Sequence, residues 1–509
     1  MASRRDELNA YTFAKRRLIA QFVQPNSTGS EEGAPRPLRG VVPGMIVAVV
    51  ILAVFGAWGM FKPVAPKQWN TPGENVIIAS KSTTRYVVLD TKGKIQLHPV
   101  LNMSSAKLLL NPDKGKVINV DESVLDNGKI PHGATLGIPY APDRLPDAKE
   151  AGAAKRWAVC ERPGEGGRAI EKAAFVFAER ERNRTEGPSR LTGGELLYVE
   201  GPDKTRHIVD RTGTSYVVDA KDDVLLRVLV GGDREPQRVS AAWLDTLHEG
   251  DPIGFPDIGE TPGVDAGVGG DLAPRLDKVG TVLTATNGTR NQYYVVLAGR
   301  VAPVSDFTAH LLLDSPEMID VSGSGEATSV SAATFRPGAP FGQDKDWPES
   351  MPDAVNSVGA AEPGRDTVCS VLREVDEDSG ESTLSTWAGT GFPAPLATGA
   401  TSAYVTPGSG QLFRQFTGGS TKSGFLFLVT DTGLRYAMQS NGDNATDDAG
   451  IGDSGSEKDK QNSQAEVRKA QNRLGYQNVD AAPVPAAWSA FLPTGPRLST
   501  GDARQPQGS

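Results

Sequence analysis

Tyr86-Val87-Val88-Leu89-Asp90-Thr91-Lys92-Gly93 is a run of apolar, largely β-branched residues that ends in a polar turn with glycine. Three later stretches repeat it: His207-Ile208-Val209-Asp210-Arg211-Thr212-Gly213, Tyr294-Val295-Val296-Leu297-Ala298-Gly299 and Leu426-Phe427-Leu428-Val429-Thr430-Asp431-Thr432-Gly433. Each is followed by another short extended run, such as Lys94 to Leu97 or Thr214 to Val218. Apolar β-formers before a glycine turn predict a β-hairpin, and recurrence of the same hairpin predicts a modular body. Tyr86, Gly93, Gly213, Tyr294, Gly299 and Gly433 are therefore expected to be structural positions of a repeat.

A second pattern recurs downstream. Val239-Ser240-Ala241-Ala242-Trp243, Val330-Ser331-Ala332-Ala333 and Val484-Pro485-Ala486-Ala487-Trp488 share one form, which predicts a short capped helix packing an aromatic face at Trp243 and Trp488. Gly133-Ala134-Thr135-Leu136-Gly137-Ile138-Pro139 matches Gly250-Asp251-Pro252-Ile253-Gly254-Phe255-Pro256, and Ala106-Lys107-Leu108-Leu109-Leu110 matches Ala309-His310-Leu311-Leu312-Leu313. The expected unit is a hairpin, a helix and a second small helix.

Cys160 lies between the first and second units and Cys369 between the third and fourth, each in a short strand-like run. That order is what a duplicated half gives, with a pseudo-two-fold axis through a central strand layer, and cysteines beside such an axis can meet. A bridge closing so long a loop would constrain the unfolded chain by up to roughly 4–5 kcal/mol and requires an oxidising compartment; two free buried thiols are the competing reading.

The chain has 509 residues, 53 Lys and Arg against 62 Asp and Glu, and a net charge of −9. Its 57 glycines and 36 prolines exceed average usage without reaching the level of a disordered chain. An acidic chain without a basic face disfavours nucleic acid as a partner. Two cysteines are too few for a structural zinc site or a disulfide-rich scaffold.

Val41 to Phe61, VVPGMIVAVVILAVFGAWGMF, contains no charge and spans a hydrocarbon core of about 30 Å as a helix. A buried core helix or a cleaved signal peptide would pass the same test, but forty preceding residues and Met60-Phe61-Lys62-Pro63 after it fit a signal poorly. We expect one uncleaved anchor. Residues 1–40 carry seven Lys/Arg and four acids, whereas residues 62–509 carry 46 cations and 58 anions. Basic ends stay cytoplasmic, so the large acidic part is expected outside. Before the span, Leu8, Tyr11, Leu18 and Phe22 recur at helical spacing with Lys15 interrupting them and Arg16 and Arg17 alongside. This is an amphipathic segment for the inner membrane surface or a partner helix, or else a solvated helix that fixes topology.

The division expected is a basic segment and linker at 1–40, a span at 41–61, and a first repeat at 62–146. The first part of a central domain follows at 147–192, a second repeat at 193–258, a flexible loop at 259–274, and a third repeat at 275–341. A linker and second central part occupy 342–395, a fourth repeat 396–496 with a disordered insertion at 440–463, and a flexible tail 497–509. The fold class is α+β: one N-terminal transmembrane helix, then an elongated exported region of four hairpin/helix repeats in quasi-two-fold order about a central β domain.

These residues resemble EccB, the single-pass membrane subunit of actinobacterial type VII (ESX) secretion systems. The basic start (Arg4-Arg5-Asp6-Glu7-Leu8 and Phe13-Ala14-Lys15-Arg16-Arg17), the single span, the repeat order and Gly137-Ile138-Pro139-Tyr140-Ala141-Pro142 carry the resemblance. It implies a structural and assembly role in a cell-membrane complex that supports export of small helical substrates. The implied partners are the EccC-type FtsK-like motor ATPase, EccD, usually EccE, and further EccB copies, with exported repeats clasped by a disulfide.

The family is often labelled ATPase, so ATP enters by that label. A P-loop needs a glycine turn, then Lys, then a hydroxyl opening a helix. The nearest run, Gly418-Gly419-Ser420-Thr421-Lys422-Ser423, has Thr where Gly is needed and precedes a strand, which leaves Lys422 a weak candidate; Gly115-Lys116 is followed by Val117. His98, His132, His207, His248 and His310 are scattered without metal or triad spacing. Asp443, Asp447, Asp448 and Asp453 lack calcium-loop spacing. No catalytic residue, metal or cofactor is expected. A membrane-anchored enzyme (an ATPase or a cell-wall hydrolase) and a cell-wall-binding receptor are the alternatives from other classes.

Overall fold

In a computed structural model the described residues are 3–23, 38–60, 65–91, 93–164, 169–232, 234–287, 290–323, 325–356, 364–396, 402–438 and 467–507. Among the described residues the fold is mixed α+β, with five sheets and one N-terminal apolar helix long enough to cross a membrane. That helix runs Leu38–Met60, with Pro43 inside it and past its first turn, where the missing N–H leaves the Arg39 carbonyl without its helical donor. Its Gly40–Ala57 window has a mean hydropathy of 2.5 and is not buried at all. Phe61, expected to end it, lies outside the described residues. The preceding helix is Arg4–Val23.

The predicted hairpins form the middle of four sheets that share a strand order. In the first sheet Arg85–Thr91 pairs with Lys94–Val100 on one side and with Asn75–Ala79 on the other, and Lys116–Val120 lies parallel to Asn75–Ala79. The third sheet repeats this with Val282–Asn287, Arg290–Leu297, Arg300–Val304 and a parallel Thr328–Ser329. The fourth uses Gly410–Phe416, Phe425–Thr430, Arg435–Ala437 and a parallel Ala482–Pro485. The second has Glu195–Glu200, Arg206–Val209, Thr214–Val218 and a parallel Gln237–Arg238, plus the short strands His248–Glu249 and Asp353–Ala354. The unit is thus a three-stranded meander, a crossover helix, a strand returning parallel to the first, and a short helix.

Local chemistry accounts for these elements. The turn glycines Gly93, Gly213, Gly299 and Gly433 have φ between 68° and 79°, a region open to glycine at no steric cost. The crossover helices Met103–Leu109, Asp223–Val230 and Asp306–Asp314 start at Asn102, Asp222 and Ser305, whose side chains each accept a backbone N–H from the first turn. The fourth unit has its own crossover helix at residues 467–474.

A fifth sheet lies between the units, in the order Ser382–Gly389, Thr367–Val375, Arg156–Pro163, Ile170–Phe177, Ala403–Val405. Shared cores set the neighbours. One apolar cluster joins the first and fourth units, another joins the central sheet to the second and fourth, and another joins the second to the third.

Three segments expected to be loose are built into the fold. Residues 259–274 fold back on the third unit: Ala266 is buried, and Gly263 N–H donates to Val279 O (2.9 Å). Beyond residue 341 the chain straps the third unit to the second, with Trp347 Nε1 donating to Pro252 O (3.1 Å) and buried Asn356 bonding both Tyr198 N and O. The tail is also ordered: Thr500–Ala503 is helical, Leu498 is fully buried, and Gln507 N–H reaches Thr135 O of the first unit (2.8 Å). Apolar Leu498 and Ala503 had a core to enter, which composition alone does not reveal. The expected insertion at 440–463 lies outside the described residues.

Candidate functional site at the disulfide junction

Arg156–Pro163 and Thr367–Val375 pair antiparallel, and their register sets Cys160 opposite Cys369. The two form a disulfide, both fully buried, across 209 residues of chain. Ala158, Phe175, Phe177, Val371 and Trp387 pack around it. The bridge joins the two hairpins of the central sheet, one from each half of the chain.

Next to the bridge, the fully buried carboxylate of Glu161 accepts the Ser240 N–H (2.8 Å) and the Ser240 hydroxyl, with Lys172 Nζ at 3.5 Å. It thereby holds the start of the Ala241–Leu244 helix against the central sheet. Fully buried Trp243 completes the joint, its Nε1 donating to Val159 O (3.2 Å). On the other side Trp157 Nε1 donates to Gln411 Oε1 of the fourth unit (2.8 Å), and Trp488 packs into the same core. The two Ser240 donors on Glu161 and the satisfied indole N–H groups of Trp243 and Trp157 make the junction a rigid joint, because breaking any of them leaves a buried polar group unpaired.

Charge is concentrated beside it. Glu186 binds Arg156 (3.1 Å), Arg190 (3.0 Å) and Arg373. Burial lowers the Arg156 guanidinium to about 10, helped by the like charges of Arg373 and Arg182. Burial alone would raise the Glu186 carboxyl; the Arg373 hydrogen bond and the Arg373 and Arg190 charges outweigh it and leave that carboxyl below its ordinary range.

One contact recurs in every unit. Gly133, Gly250, Gly338 and Gly495 donate their N–H to Leu97, Ser215, Val301 and Arg435 O on the third strands, at 2.7–3.0 Å. The residue after each acceptor is His98, Tyr216, Ala302 and Tyr436. A Cβ at Gly133, Gly250 or Gly495 would stand 2.1, 2.4 or 2.5 Å from the ring of His98, Tyr216 or Tyr436; at Gly338, where Ala302 takes the place of the ring residue in sequence, the nearest atom is Arg300 Cβ, 3.4 Å away. The exit glycines recognised at Gly133 and Gly250, and Gly495 in the fourth unit, are thus clearances for a ring.

The remaining predicted residues are distributed rather than gathered. Tyr86 meets His132 edge-on, and Tyr294 meets Phe335 edge-on. His98 Nδ1 bonds Ala134 O, His207 Nδ1 bonds Ser215 Oγ, His248 Nε2 bonds Ser382 O and His310 Nδ1 bonds Asp306 O, at 2.7–3.0 Å. Lys422 sits in the loop between Gly410–Phe416 and Phe425–Thr430, exposed and 3.3 Å from Asp378. Because a strand follows this loop, its N–H groups do not open a helix as a P-loop requires. Among the described residues no cluster of three His, Cys, Asp or Glu could hold a metal. Leu8, Tyr11, Leu18 and Phe22 are all exposed on the Arg4–Val23 helix, as are Lys15, Arg16 and Arg17. The loop at Ile138 is pinned by Asn102 Nδ2 and Ser105 Oγ (both 2.8 Å).

Sequence reasoning missed Glu161, Glu186, Arg373 and the first strand of each unit. The strands had a signal, since apolar runs such as Asn75-Val76-Ile77-Ile78-Ala79 precede each hairpin. The charged residues had none, because their partners are distant in sequence.

A long apolar helix, the one candidate membrane span among the described residues, is followed by an α+β body closed by a buried disulfide. Residues 1–508 match the family described as type VII secretion system ESX-1, transport TM domain B, and the chain belongs to that EccB family. It is 26% identical over 522 residues to ESX-3 secretion system ATPase EccB3 of Mycolicibacterium smegmatis, covering 98% of this chain and 90% of that one. It is 26% identical over 315 residues to ESX-1 secretion system ATPase EccB1 of Mycobacterium tuberculosis, 60% of each. Its fold is similar to a chain of an intact ESX-5 inner membrane complex (TM-score 0.55, 20% identity, covering all of this chain and 96% of that one). It is also similar to the EccB3 dimer of an ESX-3 core complex (TM-score 0.54, 24% identity, 84% and 99% covered).

Proposed function

We propose that this chain is a structural and assembly subunit of a type VII secretion membrane complex. One helix anchors it, and an extracytoplasmic body self-associates there in support of export. The observation that carries this is the rigid, disulfide-closed joint in a body that follows a single anchor in an EccB-family chain. The four sheets of like strand order are read as repeats of one unit, in quasi-two-fold arrangement about the bridged central sheet. The net charges of +3 before the span and −12 after it support a cytoplasmic N-terminus. A buried disulfide supports the same orientation, since such bonds persist in oxidising compartments.

The expected partners are an EccC-type ATPase, EccD, EccE where present, and other copies of this chain. The amphipathic Arg4–Val23 helix would meet the inner membrane face or a partner helix. Relatives carry ATPase in their names; we assign this chain no nucleotide step, because its nearest phosphate-loop run is a hairpin loop. Purification from membranes in mild detergent tests the reading: an FtsK-like ATPase and a many-span protein should accompany the chain, and recovery as a lone monomer sinks it. ATP turnover by the purified chain that disappears in Lys422→Ala would overturn the scaffold assignment.

A further inference from the structure

The fourth strand of the first sheet, Lys116–Val120, is an open edge. Ser80 N–H donates to Val120 O (3.0 Å), which fixes the parity of the ladder. Lys116, Ile118 and Val120 direct their backbone groups to Asn75–Ala79, and those of Val117 and Asn119 point outward. Among the described residues no hydrogen bond takes up these outward groups. The side chains of Lys116, Val117 and Asn119 are exposed too.

Corresponding edges elsewhere are blunted. In the fourth sheet that strand carries Pro483 and Pro485, and in the second and third it is two residues long. Proline and brevity are ordinary protections of a sheet edge. The corresponding strand of the first sheet has neither.

We propose that this strand pairs antiparallel with the same strand of a second copy about a two-fold axis through Ile118. The proposal deepens the self-association read above and rests on it. With Ile118 opposite itself, Val117 and Asn119 of each copy exchange N–H···O bonds with Asn119 and Val117 of the other. The charge pattern is self-complementary in that register: Lys114 falls opposite Glu122, Gly115 opposite Asp121, and Lys116 opposite Val120. Hydrogen bonds from the Ser123 hydroxyl and backbone N–H hold the Asp121 carboxyl below its ordinary range, so the acidic end is ionised at neutral pH. No like charges are opposed, which is what a symmetric edge pair needs. Five paired residues bury less than the ~1,200 Å² of a stable free interface. The pairing therefore operates between copies held in one membrane, where tethering supplies the effective concentration.

The test uses full-length chain in membranes. Both native cysteines are bridged, so Ile118→Cys introduces the one free thiol, at the position that faces itself. Mild oxidation should give a covalent dimer on a non-reducing gel. Adding Asn119→Pro, which removes an outward N–H and no ladder bond, should cut the yield at least fivefold. Adding Lys114→Glu should cut it at low ionic strength and less at high salt. Retention of the Cys160–Cys369 bridge in each variant controls for folding. No more dimer than from Ile95→Cys on the opposite edge strand, insensitivity to Asn119→Pro, or capture of a different protein would each overturn the proposal. If native mass spectrometry shows assembled copies while Ile118→Cys stays monomeric, the strand assignment fails and the assembly reading stands. If full-length chain is monomeric throughout, both fall.

Discussion

Replacing Gly250 by alanine adds one methyl group and separates packing from backbone effects. Gly250 does not occupy the left-handed region, so alanine is allowed by the backbone. The new Cβ would lie 2.4 and 2.5 Å from Cε1 and Cδ1 of Tyr216 and 2.9 Å from Thr214 Cγ2. Carbon contacts are favourable near 3.5–4.0 Å, so about 1 Å of movement is demanded from a ring that is 2% exposed. Overpacking of this kind costs about 1–3 kcal/mol. Gly338→Ala makes the same substitution at the matching place in the third unit, where Ala302 replaces the ring and the nearest atom is 3.4 Å away. There the smaller entropy of the unfolded chain should leave stability unchanged or raise it by about 0.4–1 kcal/mol. The assay is thermal and denaturant unfolding of the detergent-solubilised chain, with hydrogen exchange at Thr214–Val218 to localise the effect. Tyr216→Ala provides the cycle: in that background Gly250→Ala should lose most of its cost, keeping only what the 2.9 Å approach to Thr214 Cγ2 demands. If Gly250→Ala is as stable as Gly338→Ala, or its cost persists without the ring, the clearance argument is wrong.

Other perturbations read other parts of the molecule. Trp243→Ala leaves a large cavity beside the bridge and removes the indole's bond to Val159 O, and should cost about 3–5 kcal/mol in unfolding experiments. Cys160→Ser with Cys369→Ser should remove about 5 kcal/mol of chain-entropy stabilisation, seen as a lower midpoint that reductant no longer changes. Burial lowers the pKa of His207, with Asp203 and Glu249 opposing it in part. The unfolded chain therefore binds the proton first, so stability is flat at neutral pH and falls as pH drops below about 6.5. His207→Gln should flatten that acid limb, which stability curves at pH 7 and 5.5 would show.

The hairpins were legible because their determinants are local. An apolar β-branched run, an Asp or Thr that folds back on the turn, and a glycine with positive φ lie within eight residues of one another, as at Tyr86 to Gly93. The Ser240 cap was legible for the same reason. The straps and the tail were not, since their residues resemble loops until a neighbouring core is present to receive Leu498 or Trp347.

From sequence alone came the apolar span, the turns, the hairpins and the place of each cysteine in that order, all set by backbone preferences and short-range periodicity. Tertiary structure alone decided that the fourth strand of each unit returns parallel to the first. It also decided that Glu161 would be buried against Ser240, 79 residues away, and that glycines in four units would clear, or fail to need to clear, a ring. These depend on close approach between segments far apart in the chain, where shape and satisfied hydrogen bonds count and no local pattern records the partner.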